Sequence, residues 1–209
     1  MKRVVGIYLA AGLSSRMGCD KLALPLGGMA LGSHALYAAI RSPLKNTIVV
    51  SREDCEAPSW IDPMLRQRPW SLRWRAVYCP LASQGQAHSL QWGLSEAIRR
   101  AVDAVMILLS DQPFITPTML FRLIEHYSRS NAAYVAARRL GCDYPQPPVI
   151  IDRQLFPELF KLQGDAGARR LLRNEAIPGH VVDFDDPALF YDVDTMKQYD
   201  LLKTTGSLE

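Results

Sequence analysis

Cysteine is scarce in this sequence: Cys19, Cys55, Cys79 and Cys142 are four among 209 residues and form no C-x-x-C pair. That excludes a small disulfide scaffold and fits reduced thiols in the cytoplasm. Histidine is as scarce. His34, His126 and His180 lack the spacing of metal ligands, and His88 reads as a solvent-facing residue at a helix start. No apolar run approaches the length of a membrane span. Met1-Lys2-Arg3 leads into an apolar stretch too short and too glycine-containing for a signal peptide. Neither sign of charge dominates: 24 Lys and Arg against 21 Asp and Glu leave +3. So mild a balance suits an anionic small molecule and does not call for nucleic acid. Arg66, Arg68, Arg73 and Arg75 do interleave with Trp70 and Trp74, as in some nucleic-acid binders. Over Leu72–Tyr78, however, residues alternate as on a strand with one basic face, and single-strand binders carry a more basic domain. Repeats, low-complexity tracts and linkers are also missing.

What is present is apolar and periodic. With 48% hydrophobic residues the chain fills a core without staples, and its length suits one domain. We assign residues 1–203 to that domain and 204–209 to a tail. Strands are expected at Val4–Ala10, Thr47–Val50, Trp74–Tyr78, Ala104–Leu109, Ala133–Ala137, Val149–Ile151 and His180–Phe184. Helices are expected at His34–Arg41, from about Ala87 to Ala101, after the Thr116-Pro117 cap, and at Ala168–Arg173. A last helix follows the capping box Thr195-Met196-Lys197-Gln198. Tyr144-Pro145-Gln146-Pro147-Pro148 reads as a loop. Strand–helix alternation predicts an α/β three-layer sandwich with a mostly parallel, Rossmann-like sheet.

The most informative stretch follows the first strand: Leu9-Ala10-Ala11-Gly12-Leu13-Ser14-Ser15-Arg16-Met17-Gly18-Cys19-Asp20-Lys21. Gly12 and Gly18 let the backbone approach a ligand, consecutive N–H groups form an anion nest, and Arg16 and Lys21 add positive charge. This is a polyphosphate cradle at a strand's C-terminal end, where open α/β sheets bind ligands. It matches neither the P-loop nor the G-x-G-x-x-G fingerprint. Further along, Leu108-Leu109-Ser110-Asp111-Gln112-Pro113 ends an apolar strand in a carboxylate at the same sheet edge. Asp111 suits a metal bound to a nucleoside triphosphate, which takes hard oxygens and one or two protein carboxylates; a turn aspartate is the structural alternative. Asp192-Val193-Asp194 places two carboxylates on one face of an extended stretch. Asp194 is either a second metal contact or a helix cap.

Residues 9–28, LAAGLSSRMGCDKLALPLGG, resemble the signature of the MobA-like nucleotidyltransferases. Within that group the likeness is strongest to molybdenum cofactor cytidylyltransferases and xanthine dehydrogenase accessory proteins. It runs from about Val4 to Leu202, and the fold it implies is that of the nucleotide-diphospho-sugar transferases. Asp111-Gln112-Pro113 is similar to a magnesium-binding "DQP" turn, and Asp192–Thr195 to a "DIDT" stretch. Ser83–Leu90 is similar to a "G-M-S-x-S-L" turn near base and ribose, with Gln86 and Ala87 replacing the usual Met and Ser. Gly164–Arg169 is similar to a "G-D-x-G-A-R" turn, with Ala166 where a basic residue is common.

The resemblance implies site residues. Leu9, Ala10, Ala11, Gly12, Ser14, Ser15, Arg16, Gly18, Lys21, Gly85 and Ser89 would bind nucleotide. Arg16, Lys21 and Asp111 would carry catalysis, and Asp111 with Asp194 would hold Mg²⁺. Gly164, Asp165 and Arg169 would bind the acceptor. Guanylyl-transferring relatives usually carry L-A-G-G, so the Ala11 methyl narrows the floor beside the base and favours a pyrimidine. The expected substrates are CTP and molybdopterin (molybdenum cofactor), and the expected client a xanthine dehydrogenase-type enzyme. A guanylyltransferase and a sugar- or polyol-phosphate cytidylyltransferase stand as alternatives within the class. A D-x-D glycosyltransferase and a non-catalytic cofactor chaperone stand outside it. Retention of Arg16, Lys21, Asp111 and Asp194 argues against the chaperone.

Overall fold

The computed structural model describes residues 2–13, 17–174 and 176–205. In chain order the elements are β1 (Val4–Ala10), β2 (Pro25–Leu26), β3 (Met29–Ala30), α1 (Leu31–Arg41), β4 (Thr47–Ser51) and β5 (Trp74–Tyr78). Then come α2 (Gln86–Ile98), β6 (Ala104–Leu109), α3 (Pro117–Arg129), β7 (Tyr134–Arg139) and β8 (Gln146–Asp152). The chain closes with α4 (Phe156–Phe160), α5 (Arg169–Leu172), β9 (Gly179–Phe184) and α6 (Met196–Thr205). Helix α6 thus reaches two residues past the expected domain end, and residues 206–209 lie outside those described.

Among the described residues, seven strands form one sheet in the order β5-β4-β1-β6-β8-β7-β9. Strands β5, β4, β1 and β6 run parallel, β8 is antiparallel to both neighbours, and β9 is parallel to β7. Every residue of β1 is buried, as a central parallel strand covered on both faces requires. Its side chains alternate between two cores. Val4, Tyr8 and Ala10 join Leu36, Leu120, Leu123 and Tyr199 on the face of α1, α3 and α6. Val5, Ile7 and Leu9 join Leu90, Leu94, Leu159 and Leu171 on the face of α2, α4 and α5. The result is the expected three-layer α/β sandwich.

Local chemistry explains most boundaries. Thr116 Oγ1 accepts from Met119 N at 3.2 Å and Pro117 opens α3. Helix α1 begins at Leu31, three residues before the expected His34, with no side-chain cap. Tertiary contacts fix that start: Leu31 N–H donates to Leu24 O at 2.8 Å and Ser33 Oγ to Trp60 O at 3.1 Å. Helix α2 stops at Ile98 instead of Ala101, because the chain turns and Ala101 takes φ 50°. The proline-rich loop is a correction, since β8 starts at Gln146. The register passes from Ala136↔Val149 to Ala137↔Gln146, so Pro147 and Pro148 are accommodated in a bulge, where no ladder N–H is required. The Trp/Arg segment is structural: Trp74 Nε1 donates to Leu65 O at 2.8 Å, Arg73 to Ser42 O and Leu44 O, and Arg75 pairs with Glu96.

Gly93 lets α2 lie close on the sheet. A Cβ there would approach Ile7 Cγ2 to 2.6 Å and Val50 Cγ2 to 2.9 Å, and both methyls belong to stiff side chains in buried strands. Gly93→Val is expected to lose about 1–3 kcal/mol by overpacking, read as a fall in the thermal midpoint. An unchanged midpoint would show that the helix can lift at no cost.

Candidate active site

The parallel strands β4, β1 and β6 deliver three loops to one edge. Pairing of Ala10 with Ser51 and of Leu9 with Leu109 brings together the loop after β1, Arg52 after β4, and Asp111 after β6. Arg52 spans the mouth of the first loop. Its Nη1 donates to Gly12 O at 3.3 Å and its Nη2 pairs with Asp20 Oδ2 at 3.2 Å. Asp20 accepts from Leu22 N at 3.2 Å and so caps the short 3₁₀ turn Lys21–Ala23. That turn aims Lys21 back over the sheet edge. The sequence marks Arg52 only as a basic residue directly after a buried strand.

Lys21 Nζ sits among three oxygens: Asp111 Oδ2 at 2.8 Å, Val193 O at 3.0 Å and Asp194 Oδ1 at 3.2 Å. The two carboxylate segments are joined behind it. Val193 N donates to Asp111 O at 3.0 Å, and Gln112 Nε2 donates to Asp192 Oδ1 at 2.8 Å. Gln112 is fully buried. Burial, and then the Asp111 charge, raise the pKa of the Asp192 carboxyl, against the lowering effect of the Gln112 hydrogen bond. The capping box forms as expected: Gln198 Oε1 accepts from Thr195 N at 2.9 Å, and Thr195 Oγ1 accepts from Gln198 N at 3.3 Å. Thr195 supplies that reciprocal cap, while the Asp194 carboxylate reaches Lys21.

Hard oxygens converging on a single cationic nitrogen are the donor set that Mg²⁺ or Mn²⁺ prefers. Among the described residues no group of three or more His, Cys, Asp or Glu side chains is placed to hold a metal alone. Asp111 and Asp194 supply two carboxylates at this point.

Two cavities meet at this cluster. One, of about 520 Å³, is lined by Ala11, Gly12, Lys21, Gly85 and Ser89. The other, of about 500 Å³, is lined by Ala166, Arg169, Arg170, Arg173 and Asp192. Leu9, Gln86, Leu109, Asp111, Asp165 and Asp194 line both. Each volume lies within the ordinary range of small-molecule sites. The cleft thus has two compartments with carboxylates at their junction.

The expected residues fall into place unevenly. Leu9, Ala11, Gly12, Lys21, Gly85 and Ser89 line the first compartment, whereas the Ala10 side chain points into the opposite core. Gly18, at φ 66° and exposed, makes the loop's tight turn and lines neither compartment. Ser14, Ser15 and Arg16 lie outside the described residues. Asp165 and Arg169 line the second compartment. Gly164 acts through its backbone: its carbonyl accepts from Ala87 N at 2.9 Å, and a Cβ on Gly85 would strike it. Asp165 caps nothing, since α5 has no side-chain cap. His88 is half-buried and lines neither cavity.

Comparison with known proteins follows the same outline. The model of the MobA-like NTP transferase domain matches residues 6–180. The purine catabolism protein PucB of Bacillus subtilis is 35% identical over 98% of both chains. The nicotine blue oxidoreductase of Paenarthrobacter nicotinovorans is 27% identical over 93% of this chain and 94% of its own. Rv0371c of Mycobacterium tuberculosis superposes with a TM-score of 0.75 at 24% identity, covering 97% of this chain and 99% of the other. The same protein has also been solved in complex with manganese, with a TM-score of 0.71, 23% identity and coverage of 96% and 98%.

Proposed function

This chain belongs to the MobA-like NTP transferase family, and from that premise we propose that it transfers CMP from CTP to the terminal phosphate of molybdopterin, releasing pyrophosphate. The observation that carries the reading is the two-compartment cleft, whose halves share Asp111 and Asp194. Donor and acceptor must meet at one phosphorus, and this junction is where they would meet. The product would serve maturation of a xanthine dehydrogenase-type enzyme. That step rests on the resemblance and on a relative named for purine catabolism.

Nucleotidyl transfer draws chiefly on positioning and charge neutralisation. An acceptor phosphate oxygen attacks the α-phosphorus in line. The bond from that phosphorus to the bridging oxygen breaks, and pyrophosphate departs with the electron pair. A phosphate monoester is ionised near neutral pH, so the acceptor requires no general base. The loop amides with Arg16 would take the β- and γ-phosphates. Lys21 would leave its carboxylates for the α-phosphate, where negative charge develops. Asp111 and Asp194 would hold Mg²⁺, which when bound neutralises the triphosphate and the departing pyrophosphate. Gly85 and Ser89 would face the ribose and base, and Asp165 and Arg169 the acceptor.

Pyrophosphate release with Mg²⁺, molybdenum cofactor and each nucleoside triphosphate in turn tests the reading. Release with CTP is expected. Release with GTP alone would keep the chemistry and overturn the base assignment, and silence with every nucleotide would overturn the transfer. Ala11 lines the donor compartment, which supports its methyl as a base discriminator. Ala11→Gly is therefore expected to shift the CTP:GTP ratio of kcat/KM toward GTP by about tenfold, in line with the ~1–3 kcal/mol that one methyl contributes. An unchanged ratio would remove Ala11 from base selection.

A further inference from the structure

Arg52 lies beside the donor compartment yet lines neither half of the cleft. Its backbone is fixed at the end of β4. Ser51 is fully buried; its carbonyl accepts from Cys79 N at 2.8 Å and its hydroxyl from Glu53 N at 3.0 Å. The Glu53 carboxylate is engaged by Ser59, whose N donates at 2.9 Å and whose Oγ donates at 3.2 Å. Arg52 itself reaches Gly12 O and Asp20 Oδ2. Asp20 divides its oxygens between two tasks. Oδ2 meets Arg52, and Oδ1 accepts from Leu22 N. The end of the Lys21–Ala23 turn has its own anchors, because Leu22 is buried in the core and Leu24 O accepts from Leu31 N at 2.8 Å. Its start is held by Asp20, which also accepts from Ala23 N through its carbonyl at 3.1 Å.

We propose that Arg52 is a positioning residue for Lys21: through Asp20 it fixes the start of the turn that aims the ammonium at the carboxylate junction. The inference rests on the reading of Lys21 as the group that meets the α-phosphate. A short 3₁₀ turn has poor hydrogen-bond geometry of its own and needs such support. A planar fork suits the task, since one guanidinium engages a carbonyl and a carboxylate at once. The Arg52 and Asp20 side chains are 33% and 30% exposed, so water and salt screen the pair only in part. The need arises during the reaction. When Lys21 leaves Asp111 and Asp194 for the α-phosphate, it gives up the ion pairs that hold it at rest. The Arg52–Asp20 pair uses none of the reacting groups and persists through that step.

The test is a set of variants of the full chain, assayed by pyrophosphate release. Arg52→Ala should lower kcat about tenfold, part of the hundredfold that a 1 Å misplacement costs, with the KM for CTP unaltered. Asp20→Asn should do the same, because Asn still caps the turn while the ion pair is lost. Arg52→Lys should recover part of the rate. In the Lys21→Ala background, Arg52→Ala should cost nothing further, since groups acting as a unit do not lose rate additively. Amide hydrogen exchange gives a readout apart from turnover: the Leu22 N–H should exchange faster in Arg52→Ala, and the strands should be unchanged. A raised KM for CTP in Arg52→Ala alone, with Asp20→Asn normal, would overturn the proposal in favour of direct contact with nucleotide. So would a full further loss in the Lys21→Ala background. Faster Leu22 exchange in a protein that releases no pyrophosphate with any nucleotide would uphold the link to the Lys21 turn while refuting the transferase reading. Pyrophosphate release at the wild-type kcat in Arg52→Ala would do the reverse.

Discussion

Lys21→Ala should lower kcat for pyrophosphate release by about a hundredfold or more, the usual cost of removing a donor that meets developing charge. Its ammonium sits 2.8–3.2 Å from three oxygens at the junction of the two compartments. The loss should fall on kcat more than on the KM for CTP, because a charge that strengthens only in the transition state gains little from ground-state binding. Lys21→Arg should recover only part of the rate, since a planar guanidinium does not replace a compact ammonium among three converging oxygens. The fold should survive both changes, because the 3₁₀ turn is capped by Asp20 and not by Lys21. Circular dichroism and thermal melting check that point. Near-normal turnover in a folded Lys21→Ala protein would sink the assignment.

The sequence disclosed elements wherever burial pattern or capping chemistry was local. Strands β1, β5 and β6 begin and end where their apolar runs do. The caps at Thr116 and Thr195 use the expected hydroxyls. It failed where distant residues decide. Helix α1 starts on contacts from Leu24 and Trp60, which no window around His34 reveals. Prolines 147 and 148 read as loop, because their tolerance in β8 depends on a bulge opposite Ala136. The same division holds at the cleft. Lys21, Asp111 and Asp194 are proposed from a loop motif, a strand end and the residue before a capping box, and the structure brings their side chains together. Arg52, which ties Gly12 to Asp20, and Gln112, which binds Asp192 from full burial, are not among them. Their roles arise only when strands β1, β4 and β6 lie side by side. The second compartment likewise depends on α5 folding back beneath the β7–β8 turn, a long-range event without a short motif.

Asp111→Asn should be at least as damaging as the lysine change, with a loss of about 10²–10³ in kcat, the range for transition-state electrostatic groups. The substitution keeps the size of the side chain and spares the backbone carbonyl that accepts from Val193 N, so the segment holding Asp194 should remain joined. What disappears is the charge that faces Lys21 at 2.8 Å. Mn²⁺ binding in the presence of CTP, followed by electron paramagnetic resonance, should weaken together with the rate. Asp194→Asn should cost less, because its side chain is 43% exposed against 23% for Asp111 and its contact with Lys21 is longer; solvent screens it more. The double variant Lys21→Ala/Asp111→Asn should be only slightly slower than Asp111→Asn alone, since groups that act as a unit do not lose rate additively. Losses that multiply would mean that lysine and carboxylate serve separate steps. Wild-type turnover in Asp111→Asn would move the chemistry away from this junction altogether.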